Sequence, residues 1–496
     1  AQSGAPYAAS WRFPNVLLRG GVRVALADPI AVTGTLSVTE GSVLTHPETT
    51  GSYAGALDVE AGTLSVDATS TLDVDARGHL GGSRGAFGST VEILPNGNFV
   101  VTDPEYDLAG IENVGAVYLY DGDTLEVISR LTGSAQFDQV GRGGVTVLAN
   151  GNFVVQSPSW DGQPGWPYAV GAVTWGSATT GVTGTLSAAN SLVGATVADS
   201  IDQVIVTLPN GNYLVSSRLW DNGGILDAGA VTWGDGDTGV AGVIGPENSL
   251  VGATQADASN QIIVTLPNGN YLVGSSYWDN GVIPDAGAVT WGDGDTGVAG
   301  VIGPENSLVG DRPAGLVGMN GSMTILANGH YVVHSINWTA PGYGYGAVTW
   351  GDATTGVTGT ISGANSLTAA AGAGSIGDDV RPLANGHYVI VSPSWSNAGA
   401  TNAGAVTWGN GNTGITGTVS PANSLVGTAM GQEVGSGSLL PLPNGNYVVT
   451  SPKWGYDAMH EDLGAVTWAD GSTGITGAVT VTITGTNDGP NSSPSV

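Results

Sequence analysis

The sequence predicts an all-β protein. Residues 85–478 read as a seven-bladed β-propeller of four-stranded antiparallel blades. A β-rich, β-helix-like segment precedes it at 1–84, and a C-terminal strand with a Ser/Pro-rich tail follows at 479–496. Three observations carry this reading. An Asn-Gly turn recurs at Asn96, Asn150, Asn210, Asn268, Asn328, Asn385 and Asn444, every 54–60 residues. A second motif, GAVTW, keeps the same beat from Gly171, Gly229, Gly287, Gly346, Gly404 and Gly464, with GAVYLY at Gly115. No helical period interrupts either series, so the unit is built of strands.

At the N-terminus, GTLSV occurs at 34–38 and again at 62–66, with further alternating stretches at 56–59 and 71–74. Short strands of this kind resemble rungs of a right-handed parallel β-helix. So few rungs cannot bury a core alone, and they need a neighbour to stack on.

One repeat shows how a blade forms. Residues 203–208 (QVIVTL) alternate and are rich in β-branched side chains, which suits a strand. Pro209-Asn210-Gly211 is turn chemistry, because Asn-Gly accepts positive φ in a tight hairpin. Residues 212–217 return as the second strand, 228–233 form the third, and the Asp-Gly turn at 234–239 leads to a fourth at 240–244. Four antiparallel strands repeated seven times are the signature of propeller blades. Two Trp per unit, such as Trp220 and Trp233, are plates suited to the gaps between blades.

The order S-L-V-G, strand, NGN, strand, Gly-rich loop and GAVTW resembles the FG-GAP repeat of integrin-α-type propellers. Phe87-Gly88 ahead of LPNGNFVV, with GAVYLY behind, is the nearest form. The repeats also resemble those of large bacterial surface proteins of the adhesin type. The resemblance implies a propeller and an extracellular or cell-surface location. Its calcium role does not carry over: the first hairpin reads Pro209-Asn210-Gly211-Asn212, without the carboxylates calcium prefers.

After residue 477 the strand pattern of 479–484 replaces the usual NSLVG, and GTNDGP resembles a boundary between surface-protein modules. The strand either closes the last blade or adds to a neighbouring subunit or domain through its backbone.

Composition narrows the function. The formal charge is −30, which repels nucleic acid and anionic lipid, and no apolar run is long enough to insert in a membrane. The absence of cysteine excludes disulfides and thiolate chemistry. No recognised catalytic motif is present, so no catalytic residue is assigned. Trp220, Trp278, Trp338, Trp395 and Trp454 open polar loops and are the aromatics placed to stack a ligand such as a glycan. Asp221 with Asp227, and Asp279 with Asp285, could clamp a cation, and calcium is the cofactor those loops would take. His330 and His387 occupy the position of an Asn after the turn and read as hydrogen-bonding turn residues; His334 on the same strand face as His330 raises a metal pair as the lesser reading.

Residues 227–252 and 285–310 are identical, so these two units were not tuned separately. An enzyme gathers unlike residues around one pocket. Near-copies favour a structural or adhesive surface protein, not an enzyme, that joins copies of itself or other surface proteins through its terminal strands into filaments or layers. A multivalent glycan-binding propeller is the alternative, and a polysaccharide-degrading enzyme the more remote one.

Overall fold

The computed structural model describes residues 11–13, 16–19, 23–25, 30–39, 43–45, 59–66 and 71–73, and residues 87–480 apart from 163–168, 197–198, 200–202, 258–260, 341–342, 345 and 456–461. Among the described residues there is no helix long and apolar enough to cross a membrane.

The N-terminal strands pair in parallel, as rungs do. Ile30–Val38 pairs with Trp11–Phe13, Val16–Leu18 and Val59–Val66. The two GTLSV copies lie in register, Leu36 beside Leu64 and Val38 beside Val66. A second parallel set joins Arg23–Ala25, Val43–Thr45 and Thr71–Asp73.

The repeats form seven sheets, called units 1–7. In unit 3, Gln203–Thr207, Tyr213–Ser217, Ala230–Gly234 and Ser249–Val251 are antiparallel neighbours in that order. The first hairpin closes at Asn-Gly: the Leu208 amide donates to Asn212 O (2.8 Å), and Gly211 sits at φ +96°, where a Cβ would be strained. The third and fourth strands are tied by a buried Thr232–Ser249 hydroxyl pair, 2.6 Å apart. The same pair recurs as Thr174–Ser191, Thr290–Ser307, Thr349–Ser366 and Thr407–Ser424.

One expectation is corrected here. The fourth strand of a unit is the S-L-V segment, not residues 240–244. The latter cross to the preceding unit, where Gly242–Val243 pairs in parallel with Leu192–Val193. Likewise Gly300–Val301 of unit 4 completes unit 3. Units 1–6 are therefore five-stranded mixed sheets, each finished by a strand from the next unit. The segment is too short, at two paired residues, to declare its partner by its own pattern.

The same exchange ends the array: Gly477–Ala478 pairs with Leu425–Val426 of unit 6. Unit 7 has three described strands, Leu439–Pro441, Tyr447–Ser451 and Ala465–Ala469. Residues 481–496, with the rest of the expected terminal strand, lie outside the described residues.

The core lies between sheets. Leu208, Leu214, Val231 and Leu250 of unit 3 pack on Tyr271, Val273, Trp278 and Ala288 of unit 4, and equivalent layers fill the other junctions. The repetition is consistent with propeller blades. Among the described residues no strand pairing joins unit 1 to unit 7, so no closure is seen. Val466 of unit 7 is 75% exposed, where its counterpart Val231 is 1% exposed.

Candidate functional site

The repeated motif residues converge on the turn that follows the third strand. At the junction of units 3 and 4, one backbone oxygen, Gly294 O, accepts from three side chains of unit 3: Asn210 Nδ2 (2.8 Å), Asn212 Nδ2 (2.8 Å) and Trp233 Nε1 (2.9 Å). Asn212 also reaches into its own unit, where its Oδ1 accepts from the Gly236 amide at 2.8 Å. Asn210 Oδ1 in turn accepts from the Asn212 amide at 3.2 Å, which orients both carboxamides. Each NGN thus fastens its own turn with one end and the next unit's turn with the other.

The clasp repeats along the array. Gly236 O accepts from Asn150, Asn152 and Trp175; Ala353 O accepts from Asn268, Asn270 and Trp291. In units 5 and 6 a histidine replaces the second Asn. His330 Nδ1 accepts from the Ala353 amide and His387 Nδ1 from the Gly411 amide, both at 3.0 Å. The imidazole nitrogen substitutes for the carboxamide oxygen, as the turn-residue reading expected. Trp350 and Trp408 still donate onward, to Gly411 O and Gly471 O. His334 is occupied separately, with Nε2 2.8 Å from Gly321 O.

A glycine permits the close approach. Gly297, three residues beyond the accepting carbonyl, has φ +76°, and a Cβ there would stand 2.5 Å from Trp233 Cβ. The Tyr271 ring is fully buried at the same junction, and burial pushes its phenol well above the usual range.

The five tryptophans expected to offer a ligand surface are turned inward. Trp220, Trp278, Trp395 and Trp454 are only 3–4% exposed and Trp338 is 9% exposed. They are part of the packing between units, and Trp338 Nε1 donates to Asp311 at 2.9 Å. Two hollows remain next to this series, one of about 590 Å³ beside Trp160 and one of about 700 Å³ beside Trp395.

The aspartates expected to clamp a cation close their own loops. Asp221 Oδ1 accepts from the Asp227 amide and Asp279 Oδ1 from the Asp285 amide, both at 2.8 Å. Asp221 Oδ2 accepts from Thr196 Oγ1 at 3.2 Å, so both oxygens of Asp221 are engaged. Asp227 and Asp285 lie at φ +52° and +50°, held by that loop closure. Among the described residues no three His, Cys, Asp or Glu side chains are grouped to hold a metal ion.

A different carboxylate escaped the sequence reading. Asp199 and Asp257 are fully buried between a loop that follows S-L-V-G and the loop opened by the inward Trp. Asp199 Oδ2 accepts from the Ala195 and Thr196 amides, both at 2.6 Å, and its Oδ1 from the Asp221 amide at 3.1 Å. Burial raises the pKa of both groups despite these bonds. Unit 1 places Asp138 in the same role, and the corresponding loop of unit 6–7 uses Gln432, whose Nε2 donates to Gly455 O. The signal was available as an Asp five residues after S-L-V-G in VGATVAD and VGATQAD.

Comparison with known proteins agrees with this repeat. The model of the DUF5650 repeat, a repeat of unknown function, matches residues 93–142, 147–203, 207–261, 265–319, 325–378, 382–436 and 441–486. The chain belongs to the DUF5650 repeat family. No curated protein matches this DUF5650 chain. Among solved structures it is distantly similar to a polysaccharide lyase of family PL25, an ulvan lyase, at 9% identity and a TM-score of 0.23, covering 78% of this chain and 92% of that one. KlHsv2 with loop 6CD replaced by a Gly-Ser linker is similar at 10% identity and a TM-score of 0.21, covering 77% of this chain and 96% of that one.

Two predictions follow from the clasp geometry. Asn212→Ala removes both an intra-unit and an inter-unit bond and should lower stability by about 1–3 kcal/mol. Asn446→Ala, in unit 7, loses the intra-unit bond alone and should cost about 0.5–1.5 kcal/mol. Urea unfolding of the two variants side by side tests this; equal losses would contradict the inter-unit half. The His387 pKa is lowered by burial, so the unfolded chain takes up a proton more readily than the folded one. Its stabilising contribution is complete above the ordinary histidine pKa and declines as pH falls below it. His387→Asn should flatten the stability profile between neutral and mildly acidic pH, and an unchanged slope would count against the Nδ1 acceptor role.

Proposed function

We propose that this DUF5650 chain is an extracellular structural or adhesive protein whose repeats serve as an interlocked spacer. The observation that carries the reading is the use of the motif residues. The NGN asparagines, the GAVTW tryptophans and the turn glycines are spent on joining one unit to the next. The residues first considered for ligand or metal binding are likewise engaged in packing or loop closure. A repeat whose recurrent polar groups face its own neighbour is suited to length and cohesion. Stability in such arrays is a sum over units and their interfaces, so adding units extends the object without redesign.

Within this reading the array is open and not a closed seven-bladed ring, since ring closure would cover Val466 and Trp468. Its partners are other surface proteins, reached through the ends of the array. The strong negative charge disfavours nucleic acid and anionic membrane as partners. A glycan-binding role keeps one support, the hollow beside Trp395, which is lined by Ser396, Asn397, Thr401, Asn402 and Ser420. Neutral hydroxyl and amide groups around an indole suit a sugar better than an ion.

Antibodies against the full chain should label intact cells of the source organism without permeabilisation. Incubation of the chain with a panel of polysaccharides should release no new sugar ends. Labelling only after permeabilisation would overturn the extracellular part, and turnover would overturn the structural reading in favour of an enzyme.

A further inference from the structure

The two ends of the array are not equivalent. Unit 7 carries the complete donor half of a clasp with nothing to clasp. Asn446 Oδ1 holds its own turn through the Gly471 amide at 3.0 Å, as the equivalent Asn does in units 1–4. Yet among the described residues Asn444 Nδ2, Asn446 Nδ2 and Trp468 Nε1 have no acceptor. Trp468 is 57% exposed, beside the exposed Val466. In units 2–6 the equivalent Val and Trp are covered by the next unit's turn.

Unit 1 is built differently on its outward side. Its turn holds Gly122 through Asn98 Oδ1 as units 2–4 and 7 do through theirs, but Leu125 stands where units 3–7 have the glycine that lies against Trp. Leu125 has φ +61° and is 66% exposed. At Gly239, Gly297, Gly356, Gly414 and Gly474 a Cβ would fall 2.4–2.7 Å from the Cβ of the facing Trp. The chain of unit 1 also runs from this turn straight into its own fourth strand, Val127–Thr132, so it has no strand to give backward. Phe99 and Tyr120 stack on one another at 5.1 Å, where units 3–6 set a Tyr ring on glycine.

We propose that the outward face of unit 7 is a docking surface for a further DUF5650-type unit on another polypeptide, one whose turn carries glycine three residues after the accepting carbonyl. The interface is the clasp half of the one already made between neighbouring units within this chain; among the described residues unit 7 has three strands and no fourth to receive a donated one. Its chemistry is an unoccupied backbone carbonyl to take the two carboxamides and the indole, and a side-chain-free position to admit the Trp ring. A second copy of this chain is not the occupant, because the outward turn of its unit 1 carries Leu125 where the side-chain-free position is needed. A symmetric pairing of two unit 7 faces also fails, since Gly471 O already accepts from Asn385 and Trp408. This deepens the structural reading by naming the kind of partner, and it can fail while cell-surface labelling succeeds.

The test uses the full chain and a synthetic peptide of residues 292–303 (GDGDTGVAGVIG), the part of unit 4 that covers unit 3. Peptide binding is read by fluorescence polarisation of a labelled peptide. The chain should bind it, and binding should weaken about tenfold or more for the peptide with Gly297→Leu, or for the chain with Asn444→Ala and Asn446→Ala, the scale of a lost hydrogen bond or more. Absence of binding at millimolar peptide, or equal binding of the Gly297→Leu peptide, would overturn the proposal. Sedimentation of the full chain supplies the second arm. Copies should not associate through this face, and self-association abolished by Trp468→Ala would overturn the choice of occupant.

Discussion

The structure depends on one crowded backbone oxygen at each junction. A carbonyl has two lone pairs, yet the turn carbonyl of units 3, 4 and 5 receives N–H groups from two carboxamides and an indole of the unit before. That arrangement demands a turn with a fixed backbone, two short amide side chains at a set spacing, and a ring that can lie flat on a glycine. It explains in one stroke why NGN, GAVTW and the Gly at the end of the turn travel together. Each donor is partly withdrawn from water by the junction it joins, so a donor left without its acceptor would be costly.

The clasp operates with a second device, the exchanged strand. Every unit from the second onward lends two paired residues to the sheet before it, so neighbouring sheets share chain as well as contact surface. The loan is small in hydrogen bonds but fixes the order and orientation of units. Its omission from unit 1 shortens the first spacing to 54 residues, which is visible in the sequence as the tightest interval between Asn-Gly turns. The buried Asp199 and Asp257 add a third tie, joining loops that no strand holds.

Much of this was legible in advance, for physical reasons. Alternating β-branched runs around Asn-Gly mark a hairpin wherever they occur, and the GTLSV copies paired in parallel register as rungs do. The histidine substitutions at His330 and His387 were readable because an imidazole can accept a bond where a carboxamide would. What was not legible lay in partner choice. A segment such as Gly242–Val243 has a strand's character but nothing in it says which sheet it joins. Trp220 and its counterparts follow a polar loop sequence, yet their indoles turn into the neighbouring unit, because the buried carboxylate at Asp199 or Asp257 pulls the loop amides inward. A side chain's direction is set there by a residue more than twenty positions away.

The exchanged strand is the central claim, and the natural lack of cysteine makes it directly testable. Val193 and Val243 are register partners across units 2 and 3, at a separation where strand neighbours can be bridged. The chain carrying Val193→Cys and Val243→Cys should form an intramolecular disulfide under mild oxidation, read as a two-hydrogen mass loss and a linked peptide after digestion. Free thiols in the folded, oxidised protein would contradict the account and return residues 240–244 to their own sheet.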